Sequence, residues 1–296
     1  MKGLQNNVKR KKLALEVNVN KREVIFLQET HSTKSCEPFW KKDFKMSHSY
    51  YCHGTSAARG VAIMINLKEG FEIIQINNLD TFCNHNGRLL GVCIKYRNQK
   101  FGLINCYAPN VNNSRHVRDE YLQFLTEVDQ LLDLMTGLCD SIVVGGDFNL
   151  ICDSDLDAKG GNPYLYGDCI DYLREMCERH DSTDLFRSIY PTEAMHTFAP
   201  GGNNVKQIYR RLDYFFTSSH LIKVCLDLET TKLINSDHCA LSFSLKQTNQ
   251  VLSKGICRHN DRLLKDINYV DFLKNEIAKI ELHDLSNCRA KWEFIK

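Results

Sequence analysis

Five short segments of this 296-residue chain end an apolar run in a group able to handle a proton, a cation or a phosphate oxygen. Phe26-Leu27-Gln28-Glu29 ends in a carboxylate, and Ile104-Asn105-Cys106-Tyr107 in a phenol, just before the turn signal Ala108-Pro109-Asn110. Gly145-Gly146-Asp147-Phe148-Asn149 sets an acid and an amide two residues apart. In Arg211-Leu212-Asp213-Tyr214-Phe215-Phe216 a carboxylate interrupts apolar residues, and Ser236-Asp237-His238 puts an acid beside an imidazole ahead of a strand-like run. Taken singly, each is an ordinary strand-end charge, packing tyrosine or turn. Together they supply hard oxygen ligands with no cysteine among them, which suits Mg²⁺, with Mn²⁺ as the alternative, rather than zinc. The matching reaction class is metal-assisted hydrolysis of a phosphate ester.

Spacing adds detail. Asp147 and Asn149, two apart on an extended segment, are expected on one face, and the glycines ahead of them allow close backbone approach. A carboxylate inside an apolar run is costly unless paired. His238 is the available partner for Asp213, and that pairing would fix the imidazole tautomer and raise its pKa.

Such groups need rigid strand ends to hold them. Apolar runs at 23–28, 60–65, 71–76, 88–96, 101–107, 141–146, 211–217 and 240–245 are short and bounded by polar residues or glycine, so at least eight strands are expected. Some are continuously apolar and should be buried on both faces, whereas 240–245 alternates. Within 117–135, Tyr121, Leu125, Val128, Leu132 and Met135 share a helical face; within 169–180, Ile170, Leu173 and Cys177 do so, with Asp168 placed as N-cap. This mixture predicts stacked sheets with helices outside. Beyond Leu245 the pattern turns polar, with one amphipathic helix at 268–282, so the domains are drawn as 1–245 and a partly helical connector at 246–296.

Composition narrows the function classes. Hydrophobic content of 43% and charged content of 25% are those of a globular protein, not a disordered one. A net charge of +2 excludes a scaffold that coats nucleic acid by charge alone, so any nucleic-acid contact must come from local patches such as Lys9-Arg10-Lys11-Lys12. Thirteen scattered cysteines without a CxxC pair argue against a zinc ribbon and a disulfide framework. Several, Cys93 and Cys106 among them, sit in apolar runs where a reduced thiol packs as a small hydrophobe. A reducing compartment, nucleus or cytosol, is expected. No stretch approaches about 18 apolar residues, and the basic N-terminus carries no secretory pattern, so no membrane association is expected.

The ordered series QETH (28–31), RGVAIMI (59–65), INCYAPN (104–110), GGDFN (145–149), RRLDYFF (210–216) and SDHCAL (236–241) resembles the endonuclease/exonuclease/phosphatase superfamily. Within it, the chain looks like the apurinic-site-type endonuclease domain of LINE (non-LTR) retrotransposon polyproteins, over residues 2–245. The resemblance implies an α/β fold, a four-layer α/β sandwich of two mixed β-sheets packed face to face with helices outside. It implies a Mg²⁺-dependent DNA endonuclease that contacts the phosphate backbone and leaves a 3′-hydroxyl. Glu29 would bind metal, Asp147 would activate water, Asn149 would orient it, and Tyr107 would contact the scissile phosphate. Asp237 would assist metal or substrate, and His238, held by Asp213, would stabilise developing charge; whether His238 or Asp147 is the base stays open. Asp147, Asn149 and His238 also count among the metal-site residues, while Thr197 and Ser236 fall at substrate-contacting positions.

One departure stands at the N-terminus, where Lys2-Gly3-Leu4 matches the family segment that follows its first strand. The fold is therefore expected to lack the usual first strand and its metal-site asparagine, with water able to replace that amide and an unpaired sheet edge left behind. The segments KGICRHNDRLLKDINYVDFLKNEI (254–277) and WEFIK (292–296) resemble the connector toward a reverse transcriptase, which suggests an isolated or truncated element product. The alternatives are a small-molecule or lipid phosphoesterase of the same superfamily, and a catalytically silent nucleic-acid-binding remnant.

Overall fold

The computed structural model describes residues 4, 6–67, 70–84, 86–110, 112, 114–163, 166–200, 208–233 and 236–246, with 267, 270, 271 and 274 beyond them. The chain divides into two units, Met1–Ser253 and Lys254–Lys296. In the second, Ile267, Val270, Asp271 and Lys274 are helical; the rest of the helix expected at 268–282, and the remainder of the connector-like motifs, lie outside the described residues.

In the first unit, α1 (Asn7–Val19) starts where the Asn6 side chain accepts the N–H groups of Val8 and Lys9, and it buries Leu13, Ala14 and Val17. Then come β1 (Val24–Leu27), α2 (Glu37–Phe44), β2 (His48–Cys52), β3 (Val61–Ile65), β4 (Glu72–Ile74), β5 (Phe82–Cys83), β6 (Leu89–Tyr96) and β7 (Gln99–Tyr107). The chain continues through α3 (Arg115–Leu138), β8 (Ser141–Asp147), β9 (Ala158–Lys159), α4 (Gly167–Arg179), β10 (Ser182–Asp184) and α5 (Leu185–Ile189). It closes with β11 (Tyr209–Arg210), β12 (Asp213–Ser218), β13 (Cys225–Lys232) and β14 (Cys239–Leu245). All eight apolar runs are strands. Asp168 lies in the first turn of α4 rather than at its cap, which is Tyr166, and its charge is taken up by Arg118, with Arg118 Nε 2.6 Å from Asp168 Oδ2.

The large sheet has the order β10-β12-β8-β7-β6-β4, with β5 also on β6. It is mixed because β7 and β8 run parallel, a pairing that needs the α3 crossover between them. On its outer face, Leu89, Cys93, Ile104, Cys106, Val144 and Phe216 pack against the apolar stripes of α3 and α4. Its inner face meets Cys52, Val61, Ile63 and Ile65 of the second β layer, whose other face, with Ala62 and Met64, is covered by α1 and α2. The layers therefore stack helix, sheet, sheet, helix.

The second β layer departs from the expected mixed sheet. Its described strands are all antiparallel and fall into two pieces, β1-β3-β2 and β13-β14. A cavity of about 750 Å³ lies between β1 and β14. One disulfide, Cys52–Cys83, also joins strands that the scattered cysteine spacing gave no reason to pair, while Cys93 and Cys106 are buried free thiols as expected. No helix among the described residues is long and apolar enough to cross a membrane.

Candidate active site

Three strands of the large sheet meet in one cross-strand row. Tyr107 is the register partner of Asp147 in the parallel β7–β8 pair, and Asp147 is the partner of Asp213 in the antiparallel β8–β12 pair. Level residues on adjacent strands point to the same face, so a phenol and two carboxylates stand side by side. Glycine permits this packing: at Gly145 a Cβ would strike the rings of Phe215 and Phe26. At Gly146, with φ 147°, it would collide with the Cys106 carbonyl.

Glu29 reaches the row from the other layer. Its backbone turns with φ 50°, held because Thr30 N–H donates to the Gly60 carbonyl (3.0 Å) and His31 N–H to that of Arg59 (2.8 Å). Asn105, fully buried on β7, ties the layers together. Its amide donates to the carbonyls of Leu27 (3.0 Å) and Ala62 (2.8 Å), and its oxygen accepts from Gln28 Nε2 (2.7 Å). The Tyr107 hydroxyl then donates to Glu29 Oε1 at 2.5 Å. Asn105 lay inside a motif read for Tyr107, and only its polarity within an apolar run could have drawn attention to it.

His238 completes the group. Its Nδ1 is 2.8 Å from Asp213 Oδ2, and its Nε2 is 3.9 Å from Asp147 Oδ2. Ser236 Oγ accepts the His238 backbone N–H at 3.0 Å. Thr197 is fully buried, and its hydroxyl accepts the N–H groups of Leu212 and Asp213, both at 3.1 Å, so in this geometry it supports Asp213 from behind. The Asp237 carbonyl accepts from Ala199 N–H, and the Asp237 carboxylate is not part of the Asp147–Asp213–His238 group.

Asn149 reaches the rim differently from the same-face alternation expected. The strand ends at Asp147, and Asn149 has φ 47° in an Asx-type turn in which its N–H donates to Asp147 Oδ1 at 2.9 Å. Its side-chain amide donates to the Ala108 carbonyl at 3.0 Å. A local turn, not the strand period, brings acid and amide together.

Behind Asp213 lies a charge network that sequence reasoning missed. Arg211, 1% exposed, places Nε 2.8 Å and Nη2 3.0 Å from the two oxygens of Asp157, and Nη2 2.6 Å from Asp184 Oδ2. Its guanidinium also lies 4.4 Å from the Tyr214 ring centroid. Its partners are distant in sequence, so no local pattern announces them. Arg88 does a similar service for Tyr107: it donates to the Tyr107 carbonyl at 3.2 Å and stands over that ring at 5.4 Å.

Electrostatics separates the roles of acid and imidazole. Burial raises the pKa of Asp147, the charge of Asp213 adds to this, and His238 offsets only part, so it is pushed up to about 7. For His238, burial opposes the charged form, but the hydrogen bond and charge of Asp213, with the charge of Asp147, outweigh it and raise the pKa to about 9. Burial and the bond to Glu29 also push the Tyr107 phenol upward, keeping it a neutral donor.

Ligand atoms of Asp147, Asp213 and His238 lie within 4.8 Å of one another. A carboxyl that burial holds partly protonated, among hard oxygen donors, is one that a divalent cation would relieve. The residues present fit such an ion.

A sequence model of the endonuclease/exonuclease/phosphatase family matches residues 2–238. The chain belongs to the endonuclease/exonuclease/phosphatase family. It is 24% identical over 254 residues to the transposon TX1 uncharacterized 149 kDa protein of Xenopus laevis, an alignment covering 85% of this chain and 18% of that protein. The chain thus spans under a fifth of that relative. Among solved structures, the AP endonuclease LMAP of Leishmania major is similar at TM-score 0.65 and 17% identity, covering 83% of this chain and 84% of that one. The Xenopus laevis APE2 catalytic domain gives TM-score 0.64 at 16% identity, covering 84% and 93%. An AP endonuclease from Archaeoglobus fulgidus gives 0.61 at 20%, covering 80% and 93%. These likenesses place the fold among α/β sandwiches, and family membership makes the protein an enzyme of the phosphodiesterase and nuclease class.

Proposed function

We propose that the chain is a Mg²⁺-dependent DNA endonuclease of retrotransposon type, which hydrolyses one phosphodiester bond and leaves a 3′-hydroxyl. The observation that carries this reading is the aligned row of Tyr107, Asp147 and Asp213 with His238 set against both carboxylates.

A divalent ion, when bound, would polarise a phosphate oxygen and offset the charge that builds on it. Glu29 and Asp147 would hold it, with Asp237 and Asn149 assisting. His238 is the weaker ligand despite its place in the cluster, because Asp213 keeps it as an imidazolium with no lone pair on Nε2 to give. That charge suits it to bind a phosphate oxygen instead, with Asp213 fixing the ring.

Asp147, once deprotonated, takes a proton from the attacking water, and Asn149 aligns that water through the carboxamide oxygen that its backbone contacts leave available. The neutral Tyr107 hydroxyl, which donates its one proton to Glu29 in the structure, turns that proton to the scissile phosphate once Glu29 holds the ion. Ser236 orders the His238 backbone beside the substrate, and Thr197 acts through Asp213.

The test is nicking of supercoiled plasmid with Mg²⁺, alongside EDTA and Asp147→Ala controls. Wild-type protein should convert closed circles to nicked circles with 3′-hydroxyl ends that a polymerase extends. Equal rates for wild type and Asp147→Ala would refute the proposal.

A further inference from the structure

The Cys52–Cys83 disulfide is a covalent tie between the two β layers. Cys52 ends β2, Cys83 ends β5 of the large sheet, and their Cα atoms are 5.4 Å apart. The two ends differ in access: Cys52 is fully buried, whereas Cys83 is exposed. An exposed disulfide is open to attack by a thiolate.

Both cysteines run straight into loops that serve the catalytic row. The loop after Cys52 ends at Gly60, whose carbonyl, with that of Arg59, holds the turn carrying Glu29. The loop after Cys83 ends at Arg88, whose guanidinium holds the Tyr107 carbonyl and covers the Tyr107 ring. The two partners of the Tyr107–Glu29 hydrogen bond are thus positioned from opposite ends of one S–S bond.

Each loop is otherwise anchored to its own side. His53 places Nδ1 3.0 Å from Ser32 Oγ and Nε2 2.8 Å from Glu37 Oε1, while the Asn84 amide donates to Glu127 of α3 at 2.8 Å. Where the loops meet, Gly60 N–H donates to the Gly87 carbonyl at 2.9 Å. They touch so closely that a Cβ on Gly87 would fall 2.7 Å from the His53 carbonyl. That hydrogen bond is weak beside a covalent tie. The reduced state also has its partner: Cys52 Sγ lies 2.8 Å from the Asn84 carbonyl, an acceptor for the S–H that reduction creates.

We propose that Cys52–Cys83 is a thiol-exchange site, and that its state sets how firmly the Glu29 turn is held against Tyr107. A small-molecule thiolate attacks Cys83 Sγ; the Cys52–Cys83 bond breaks, the Cys52 thiolate leaves and takes a proton from water, and Cys83 carries a mixed disulfide. A second thiolate attacks the small-molecule sulfur, releasing a small-molecule disulfide and the Cys83 thiolate, which is protonated in turn. Two small thiols are oxidised as two cysteines are reduced. Any effect of this latch on cation binding rests on the role proposed above for Glu29.

The full chain is compared oxidised, after dithiothreitol, and after reoxidation by glutathione disulfide, each reagent being removed before measurement. Cys83→Ser is run alongside; its side chain is exposed, so the core is left intact. Hydrogen exchange is read by mass spectrometry in 29–31, 53–60 and 84–88, with β8 as internal reference. Reduction should speed exchange in these segments about tenfold and leave β8 unchanged, and reoxidation should reverse it. Cys83→Ser should exchange fast from the start and ignore both reagents. Calorimetric Mn²⁺ affinity should weaken on reduction and recover on reoxidation.

Unchanged exchange at 29–31 on reduction would overturn the proposal. So would acceleration shared equally by β8, which would make the disulfide a global staple. A response of Cys83→Ser equal to that of wild type would also overturn it, assigning the effect to another pair such as the buried Cys93 and Cys139, whose sulfurs are 3.3 Å apart. Faster exchange with unchanged Mn²⁺ affinity would support the latch and remove Glu29 from the cation site, so the two readings fail separately.

Discussion

Asp147 and Asp213 stand directly opposite each other on β8 and β12, and the His238 ring bridges them, 2.8 Å from Asp213 and 3.9 Å from Asp147. Two carboxylates this close repel; the imidazolium between them is what makes the arrangement tolerable. The acid nearer the imidazole ring is its anchor, and the other, more buried acid is left to titrate near neutrality.

Replacing the anchor should therefore change the imidazole before it changes anything else. In Asp213→Asn, the His238 pKa is expected to fall from about 9 toward its ordinary 6.5, read by NMR titration of the ring protons. Nicking should drop about 10²- to 10⁴-fold. An unmoved His238 titration would remove Asp213 from this role.

Without cation, stability should fall as pH rises. His238 has a folded pKa above its unfolded 6.5, so its contribution is complete below pH 6.5 and is lost as pH climbs through about 9. Asp147 is raised from 3.8 to about 7, so the folded chain binds more protons across that range and stability declines through it as well. Melting in EDTA should be higher at pH 5 than at pH 9, with Asp147→Asn flattening the acid limb and His238→Gln the alkaline one. A profile that neither variant alters would contradict the assignment.

Cation binding must expel the proton on Asp147. Calorimetric Mn²⁺ affinity is accordingly expected to weaken by about tenfold per pH unit below about 7 and to level off above it. A pH-independent affinity from 5 to 8 would mean the ion is held elsewhere.

Asn105→Leu should cost about 1–3 kcal/mol in denaturant unfolding, because the carbonyls of Leu27 and Ala62 lose buried donors. The same change frees β1 from β7, so cation affinity should also fall as Glu29 drifts from Tyr107. Unchanged unfolding would show that those carbonyls find other partners.

Arg211→Met takes a guanidinium from two carboxylates, Asp184 and the fully buried Asp157, the latter keeping only Arg187 Nη2 at 2.7 Å, and should cost about 3 kcal/mol. The matched triple change with Asp157→Asn and Asp184→Asn should recover much of that loss. If the triple variant is no more stable than the single one, the network is not a charge balance.

Apolar runs announced the strands of the core because each carries β-branched or aromatic residues in a short window with polar ends. β2, with the sequence His48-Ser49-Tyr50-Tyr51-Cys52, escaped that test because its polar residues hide the run. α1 escaped because its buried stripe of Leu13, Ala14 and Val17 includes the stem of Arg10, held to Asp43 at 2.7 Å, a partner 33 residues away. The site was readable as a set of residue types at strand ends, and the Asp213–His238 contact followed from the cost of burying a lone carboxylate. Asn149 shows where pattern reading stops: alternation assumes the strand continues, and here it ends at Asp147, two residues short of Asn149. Asn105 and Arg211 stayed hidden because their work is done on partners that only the folded chain brings near.

The row formed by Tyr107, Asp147 and Asp213 makes the distances in this site discrete. Each member is fixed by a hydrogen-bonded ladder, so its position can shift only by whole residues of about 3.3 Å, and a one-residue slip would turn its side chain to the opposite face. Gradual adjustment is closed to these three groups. Variation in what such a protein cleaves has to enter through the loops and the second layer, while the row itself is either in register or lost.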